Sequence, residues 1–146
     1  MRKATDLATL LLATALLPAC SALTDPDGTP TRKVVSQNNW DLEVGSAFLV
    51  DVNVTTTGGG SGRTGTLDAT VNWTSSTNNV DIYVTAMSCT TQMFAVRACT
   101  YLTKADSTTA KPERVSFTVS PGTYRLWIVN LGPTKESGTI EVGLTQ

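Results

Sequence analysis

The sequence predicts an all-β protein whose folded part is a single antiparallel β-sandwich. Threonine makes up about one residue in six, valine and glycine are frequent, and leucine is scarce after the first twenty residues, a composition typical of strands. From residue 40 onward, apolar and polar residues alternate, and turn residues separate the alternating stretches. No stretch carries the sustained apolar stripe of a helix.

Residues 1–19 are typical of a secretory signal peptide. Arg2 and Lys3 give a positive start, and the apolar run Leu7–Leu17 follows. That run is too short to span a membrane, which takes roughly 20 apolar residues. The sequence therefore predicts export of the remaining chain.

The residues that end this signal, Leu-Pro-Ala-Cys at 17–20, resemble the bacterial lipobox. The resemblance implies that Cys20 becomes lipidated and, with two acyl chains, holds the protein stably at a membrane. Because Ser21 is not the aspartate of an inner-membrane retention signal, the outer membrane is favoured in a cell with two membranes. The alternative is ordinary cleavage, for example after Ala22, which would release a soluble protein.

The number of cysteines agrees with lipidation. The chain has three, and acylation of Cys20 would leave Cys89 and Cys99 as a pair in an oxidising compartment. A disulfide between them would close the loop Thr90–Ala98 and contribute about 3 kcal/mol in the chain-entropy account. The alternative, a redox-active pair, lacks the C-x-x-C spacing. We therefore predict a structural disulfide.

Residues 20–39 are predicted to form a flexible linker because they combine prolines, a glycine and charges with few apolar residues. Residues 40–146 are predicted to form the folded domain. Alternate apolar residues in six stretches are expected to face its core. These rows are Phe48, Val50, Val52 and Val54; Leu67, Ala69, Val71 and Trp73; Val80, Ile82, Val84 and Ala86; Val115, Phe117 and Val119; Tyr124, Leu126 and Ile128; and Ile140, Val142 and Leu144.

Much of this domain resembles the bacterial pre-peptidase C-terminal domain. Val-Asp-Ile-Tyr-Val looks like that family's Asp-Leu-Tyr-Leu strand, and Gly-Thr-Tyr like its turn before a later strand. The similar stretches are Leu67–Trp73, Val80–Val84, Glu113–Val119 and Pro121–Ile128. The resemblance implies a jelly-roll-like β-sandwich that acts as a non-catalytic accessory module in secretion, solubility or substrate contact, with calcium bound in some members.

Arg125 and Trp127 form the candidate binding surface. If Leu126 and Ile128 face the core, Arg125 and Trp127 face the other side of the sheet. An outward tryptophan beside an arginine can stack on a sugar or anchor a protein partner. The alternative is that Trp127 lies beneath a neighbouring loop, because large aromatic residues are usually mostly buried.

Three aspartates, Asp51, Asp68 and Asp81, are weak calcium candidates because carboxylates are the ligands that calcium prefers. They do not form one local loop, and dispersed acids are usually solvated or paired with lysine and arginine. We therefore predict no metal and no cofactor.

The chain contains no histidine, which excludes the usual Ser-His-Asp and Cys-His mechanisms and histidine-based zinc sites. A formal net charge of −1 gives no electrostatic reason to bind nucleic acid. We predict a non-enzymatic lipoprotein that binds an envelope protein or a glycan. The alternatives are a structural envelope lipoprotein without a small-molecule ligand and, least favoured, a hydrolase with two carboxylates.

Overall fold

Eight strands and one short helix make up the part of the chain that the computed structural model describes, residues 29–55, 64–108 and 110–146. In chain order they are β1 (Arg32–Leu42), β2 (Ala47–Val54), β3 (Gly65–Trp73), β4 (Val80–Ala86), α1 (Thr91–Ala95), β5 (Tyr101–Ala105), β6 (Glu113–Val119), β7 (Gly122–Asn130) and β8 (Glu136–Thr145). The predicted signal peptide and the lipidation predicted at Cys20 lie outside these ranges.

The strands form two four-stranded antiparallel sheets. The first has the order β1-β8-β3-β6, and the second has the order β2-β7-β4-β5. The predicted antiparallel β-sandwich is therefore confirmed.

The core lies between the sheets and is built from the predicted apolar rows. Leu67 and Ile140 from the first sheet and Ile82, Leu126 and Ile128 from the second are fully buried. Burying each such side chain contributes roughly 1.5–3 kcal/mol. The alternation therefore determines which face of each strand packs inward.

One predicted inward residue is wrong. Ala86 is exposed at the end of β4, whereas Val80, Ile82 and Val84 are buried as expected. The pairing of β4 with β5 changes register between Val84 and Thr85. As a result, Thr85 is buried and Ala86, the residue after it, is exposed.

The predicted boundary between linker and domain also needs correction. β1 begins at Arg32, so residues 32–39 belong to the first sheet, where they pair with β8 from Thr145 to Thr139. The first four residues of β1 are all exposed, so this part of the strand lacks alternating burial. It is an edge strand held by its backbone ladder, and such pairing leaves little trace in the sequence.

Glu136 connects the turns at one end of the sandwich and is buried. Its carboxylate accepts hydrogen bonds from the backbone N–H groups of Thr74, Ser75 and Ser137, the Thr74 hydroxyl and the Asn78 amide. Burial alone would raise its pKa, but these donors outweigh burial and lower the pKa to about 2. An ionised carboxylate therefore fixes the β3–β4 turn against β8.

Within the described ranges, we find no helix with the length and apolar character required to cross a membrane.

Candidate functional site

The strand β7 is buried on both of its faces toward its C-terminal end. Leu126 and Ile128 point into the core, while Trp127 and Val129, which point to the outer face of the second sheet, are 2% and 8% exposed. A short element must therefore cover this outer face. That element is α1.

The helix α1 is capped at both ends. The Thr90 hydroxyl accepts a hydrogen bond from the backbone N–H of Met93 at 3.2 Å. At the other end, the N–H of Ala98 donates to the carbonyl of Met93 at 2.8 Å, and Arg97 adopts the left-handed conformation with φ +58°. This is a Schellman-type ending with arginine where glycine is usual.

The predicted disulfide is confirmed and joins the two ends of this loop. Cys89 and Cys99 are bonded, with 5.6 Å between their Cα atoms, and Cys89 is buried. Because no α1 residue is fully buried, the disulfide and Phe94 together hold the helix on the sheet. The sequence predicted the loop Thr90–Ala98 but not its helix, because five residues are too few for a periodic pattern.

Four rings meet under and beside α1, and we call Tyr83, Phe94, Tyr101 and Trp127 the aromatic cluster. Phe94 stacks on Trp127 with 4.1 Å between ring centroids and 5° between planes. Tyr83 lies 5.0 Å from Tyr101 and 5.7 Å from Phe94. The indole Nε1–H donates to the Thr85 hydroxyl at 3.0 Å. The rings thus lie in fixed positions.

A groove of about 690 Å³ runs along the cluster, and we call it the aromatic groove. Leu49 and Leu131, 37% and 51% exposed, line it with Ala47, Val129 and Ala95. Its volume falls in the range of ligand pockets, and apolar walls with a few polar groups are typical of binding sites. The polar groups of the groove belong to Thr91, Arg97, Lys104 and the two tyrosines.

The prediction that Trp127 offers an exposed binding surface is wrong. Phe94 covers the indole, which is the alternative that the sequence left open. Trp127 forms part of the groove wall, and the accessible apolar side chains are Leu49 and Leu131.

Arg125, the other predicted binding residue, is occupied by internal contacts. Its guanidinium forms two hydrogen bonds to the Asp51 carboxylate, at 2.7 and 2.8 Å, and donates to the Cys89 carbonyl at 2.8 Å. The hydrogen bonds from Arg125 lower the pKa of Asp51. Arg125 therefore connects β2 to the disulfide loop and is not free to bind a partner.

The three calcium candidates lie apart. Asp68 is on the first sheet and pairs with Arg32 at 2.7 Å, whereas Asp51 pairs with Arg125. Asp81 is buried and accepts hydrogen bonds from Asn79 and Tyr83. Among the residues that the structure describes, no group of three acidic or cysteine side chains is arranged to hold a metal ion.

The hydrogen bond between Tyr83 and Asp81 fixes one ring of the cluster. The phenol hydroxyl donates to the carboxylate at 2.7 Å. Burial raises the pKa of Asp81, and hydrogen bonds from Tyr83 and Asn79 partly oppose that rise. Burial and the bond to Asp81 both raise the pKa of Tyr83, so its hydroxyl remains a neutral donor.

The two cations of the groove differ in their partners. Lys104 pairs with Asp106. Arg97 is exposed and forms no ion pair or side-chain hydrogen bond with any residue in the described ranges. No carboxylate lines the groove. Arg97 is therefore free to bind an anionic group.

One pattern in the sequence could have indicated that the outer face of the second sheet is covered. Leu49, Tyr83, Trp127 and Val129 interrupt the polar rows of their strands, and all four belong to the second sheet. Apolar residues on both faces of neighbouring strands indicate that the outer face is covered. Phe94 and Leu131 lie in connections, where no periodicity could identify them.

Opening the disulfide is expected to destabilise the protein. Cys89→Ser/Cys99→Ser should lower the free energy of unfolding by about 2–3 kcal/mol, because it frees a short loop in the unfolded chain. It should also loosen the contact between Phe94 and Trp127. The change in Trp127 fluorescence when the protein unfolds should therefore be smaller than in the wild type. Urea unfolding with and without reductant measures this, and reductant should affect only the wild type. Equal stability of the variant and the oxidised wild type would contradict the prediction.

Arg97→Gly is expected to stabilise the protein by about 0.5–1 kcal/mol, because glycine adopts a φ of +58° without steric cost. Arg97→Ala, which keeps the Cβ atom, is the control and should not stabilise. Thermal unfolding measures both variants. Destabilisation by glycine would show that the arginine side chain contributes more to folding than its backbone conformation costs.

By sequence, no family model and no curated protein matches this chain. By structure, it is similar to the pre-peptidase C-terminal domain of a collagenase from Bacillus anthracis, with 17% identity, a TM-score of 0.47 and coverage of 75% of this chain and 87% of that chain. It is also similar to a carbohydrate-binding module of lichenase 5A from Cellvibrio mixtus, solved with cellotriose, with 9% identity, a TM-score of 0.36 and coverage of 79% and 86%. At this level of similarity, neither protein's ligand is transferred to this chain.

Proposed function

We propose that the protein is a lipid-anchored, non-catalytic binding module of the bacterial cell envelope and that it holds its partner in the aromatic groove. The observation that carries the proposal is the groove itself, in which exposed Leu49 and Leu131 flank a fixed aromatic cluster. A concave surface that combines fixed aromatic and aliphatic side chains with a few convergent polar groups is the usual form of a binding site.

The cysteines support the anchor. The disulfide takes up Cys89 and Cys99, which leaves Cys20 as the one remaining cysteine of the sequence, at the end of the lipobox-like stretch. An odd cysteine in an exported protein needs a role other than an intramolecular disulfide, and acylation is such a role. The disulfide itself is typical of proteins outside the cytoplasm.

The direction of the chain favours presentation of the groove away from the membrane. The N–H of Thr31 donates to the carbonyl of Gln146 at 3.0 Å where β1 begins, and β1 then runs for 11 residues. At about 3.3 Å per residue, its two ends are roughly 33 Å apart. Gly45 and Leu131 of the groove lie in turns at the far end.

The chemistry of the groove supports a non-catalytic role. Its lining contains no carboxylate and no nucleophile paired with a base. In the described part of the chain, the buried carboxylates Glu136 and Asp81 already accept hydrogen bonds from structural partners. Binding is what this arrangement of apolar and aromatic side chains can perform.

The anchor and the groove are tested separately. Mass spectrometry of the full-length gene product extracted from bacterial membranes should show a mature chain that starts at acylated Cys20, and Cys20→Ser should abolish acylation. An unacylated wild type that starts downstream of residue 20 would refute the anchor.

The groove is tested by screening the purified protein against a random peptide library and a glycan array. The double variant Leu49→Gln/Leu131→Gln should lose the interactions found. The matched control Val34→Gln/Val35→Gln changes side chains of similar exposure, 52% and 40%, on the other sheet and should retain them. Interactions that survive the groove variant would refute the groove and place binding elsewhere on the protein. The absence of any interaction would also refute it and favour a structural envelope lipoprotein.

A further inference from the structure

We propose that the partner is an acidic peptide segment that places an apolar side chain in the aromatic groove and a neighbouring carboxylate on Arg97. This inference rests on the proposed function, because it specifies what the same groove binds. The observations that carry it are the chemistry of the groove walls and the charge at the groove.

The walls fit an apolar side chain better than a sugar. A sugar ring carries hydroxyl groups that need hydrogen-bond partners once they leave water. The accessible aliphatic side chains Leu49 and Leu131 offer no hydrogen bond to a sugar hydroxyl, and the lining contains no carboxylate or amide side chain to accept one. Phe94 covers the Trp127 indole, so the largest ring offers no open face for a sugar to stack on.

The charge at the groove selects an anion. Arg97 is exposed and forms no ion pair with the residues that the structure describes, and the lining contains no carboxylate to compete for it. Lys104 adds a second positive charge, although Asp106 pairs with it. A carboxylate can accept two parallel hydrogen bonds from one guanidinium, which is the geometry that arginine recognises best.

The backbone conformation of Arg97 also supports this inference. A left-handed residue at the end of a helix is usually glycine, and arginine there carries a conformational cost. Residues held in unfavourable conformations often serve function. The capped and disulfide-closed loop fixes the backbone of Arg97 beside the groove, so less conformational freedom is lost when its side chain binds an anion.

The test is selection of a phage-displayed random peptide library on the full-length protein with its disulfide intact, with counter-selection on Leu49→Gln/Leu131→Gln. We expect enriched sequences to combine a large apolar residue with an adjacent aspartate or glutamate. In fluorescence anisotropy, synthetic peptides of those sequences should bind Arg97→Glu at least about tenfold more weakly, the effect of losing one charge-assisted pair.

Three further variants distinguish charge recognition from a structural role. Arg97→Gly should bind weakly although its unfolding temperature rises, and Arg97→Lys should retain most of the affinity. Arg114→Glu, a charge reversal on the outer face of the first sheet, should bind like the wild type. Rising salt should weaken binding to the wild type more than to Arg97→Gly.

The remaining outcomes overturn the inference in distinguishable ways. Enrichment of basic or uncharged peptides, or equal binding by Arg97→Glu, would refute recognition of an acidic segment and leave the groove as a binding site. A groove-dependent hit on a glycan array without any groove-dependent peptide would do the same. No groove-dependent binding of either kind would refute the proposed function as well.

Discussion

Trp127→Ala is expected to lower the free energy of unfolding by about 3–5 kcal/mol. The indole is 2% exposed, stacks on Phe94 at 4.1 Å and donates to Thr85, which is itself fully buried. Its removal would leave a cavity between α1 and the sheet, and the helix would lose its main contact. Urea unfolding followed by far-ultraviolet circular dichroism measures the loss without depending on tryptophan fluorescence.

Two variants serve as controls for this prediction. Trp127→Phe keeps a ring beneath Phe94 and should lose less stability than alanine, since it sacrifices the hydrogen bond and part of the contact area. Val96→Ala, at a residue that is 74% exposed near the end of the same helix, should change stability by less than about 0.5 kcal/mol. If Trp127→Ala lost binding but kept wild-type stability, the indole would be an exposed recognition residue after all.

Glu136→Gln is expected to destabilise the protein by about 3 kcal/mol at neutral pH. The folded protein lowers the pKa of Glu136 from 4.5 to about 2, and each pKa unit corresponds to about 1.4 kcal/mol. Glutamine replaces one acceptor oxygen by an NH2 group, which is itself a donor and faces the N–H and hydroxyl donors around residue 136. Because those donors would then be unsatisfied in a buried position, the loss exceeds that of one ordinary hydrogen bond.

The pH dependence of this difference has a definite sign. A depressed pKa stabilises the fold above pH 4.5, and that stabilisation is lost as the pH falls from about 4.5 to about 2. Burial raises the pKa values of Asp81 and Glu113, which act in the opposite direction. The wild type alone would therefore mix both effects, whereas the difference between wild type and Glu136→Gln isolates one carboxylate.

Chemical denaturation at several pH values between 2 and 7 measures this difference. It should be about 3 kcal/mol at pH 7 and should approach zero near pH 2, where the protonated carboxyl resembles the amide. Lys135→Gln is the matched control, because Lys135 precedes Glu136 in the chain but forms only exposed ion pairs with Asp41 and Glu43. A difference that stayed constant with pH would show that folding does not lower the pKa of Glu136.

The architecture was predictable from the sequence because the two sheets share one core. Each inward row, such as Leu67 to Trp73, had to bury its apolar side chains against the facing sheet, and alternation records that requirement. The outer half of β1 and the strand β5 were not predicted. Both are edge strands with largely exposed or half-buried residues, so their positions depend on backbone pairing.

The site was predictable only in part. The sequence predicted that Arg125 and Trp127 lie on the side of their strand that faces away from the core, as the structure confirms, but it could not tell an open face from a covered one. That distinction depends on Phe94, which reaches Trp127 only because the disulfide and two helix caps place α1 over the sheet. Contacts between a loop and a distant strand leave no local pattern in the chain.

The loop that carries α1 separates the side chains that line the groove from the groups that attach the loop to the sheet. Thr91, Ala95 and Arg97 line the groove and are all exposed, whereas attachment of the loop depends on other groups, namely the disulfide, Phe94 and the Thr90 cap. Randomising Thr91 and Ala95 should therefore vary the groove lining while the scaffold stays folded, much as antibody loops vary on a constant framework, whereas position 97 favours glycine because of its φ of +58°.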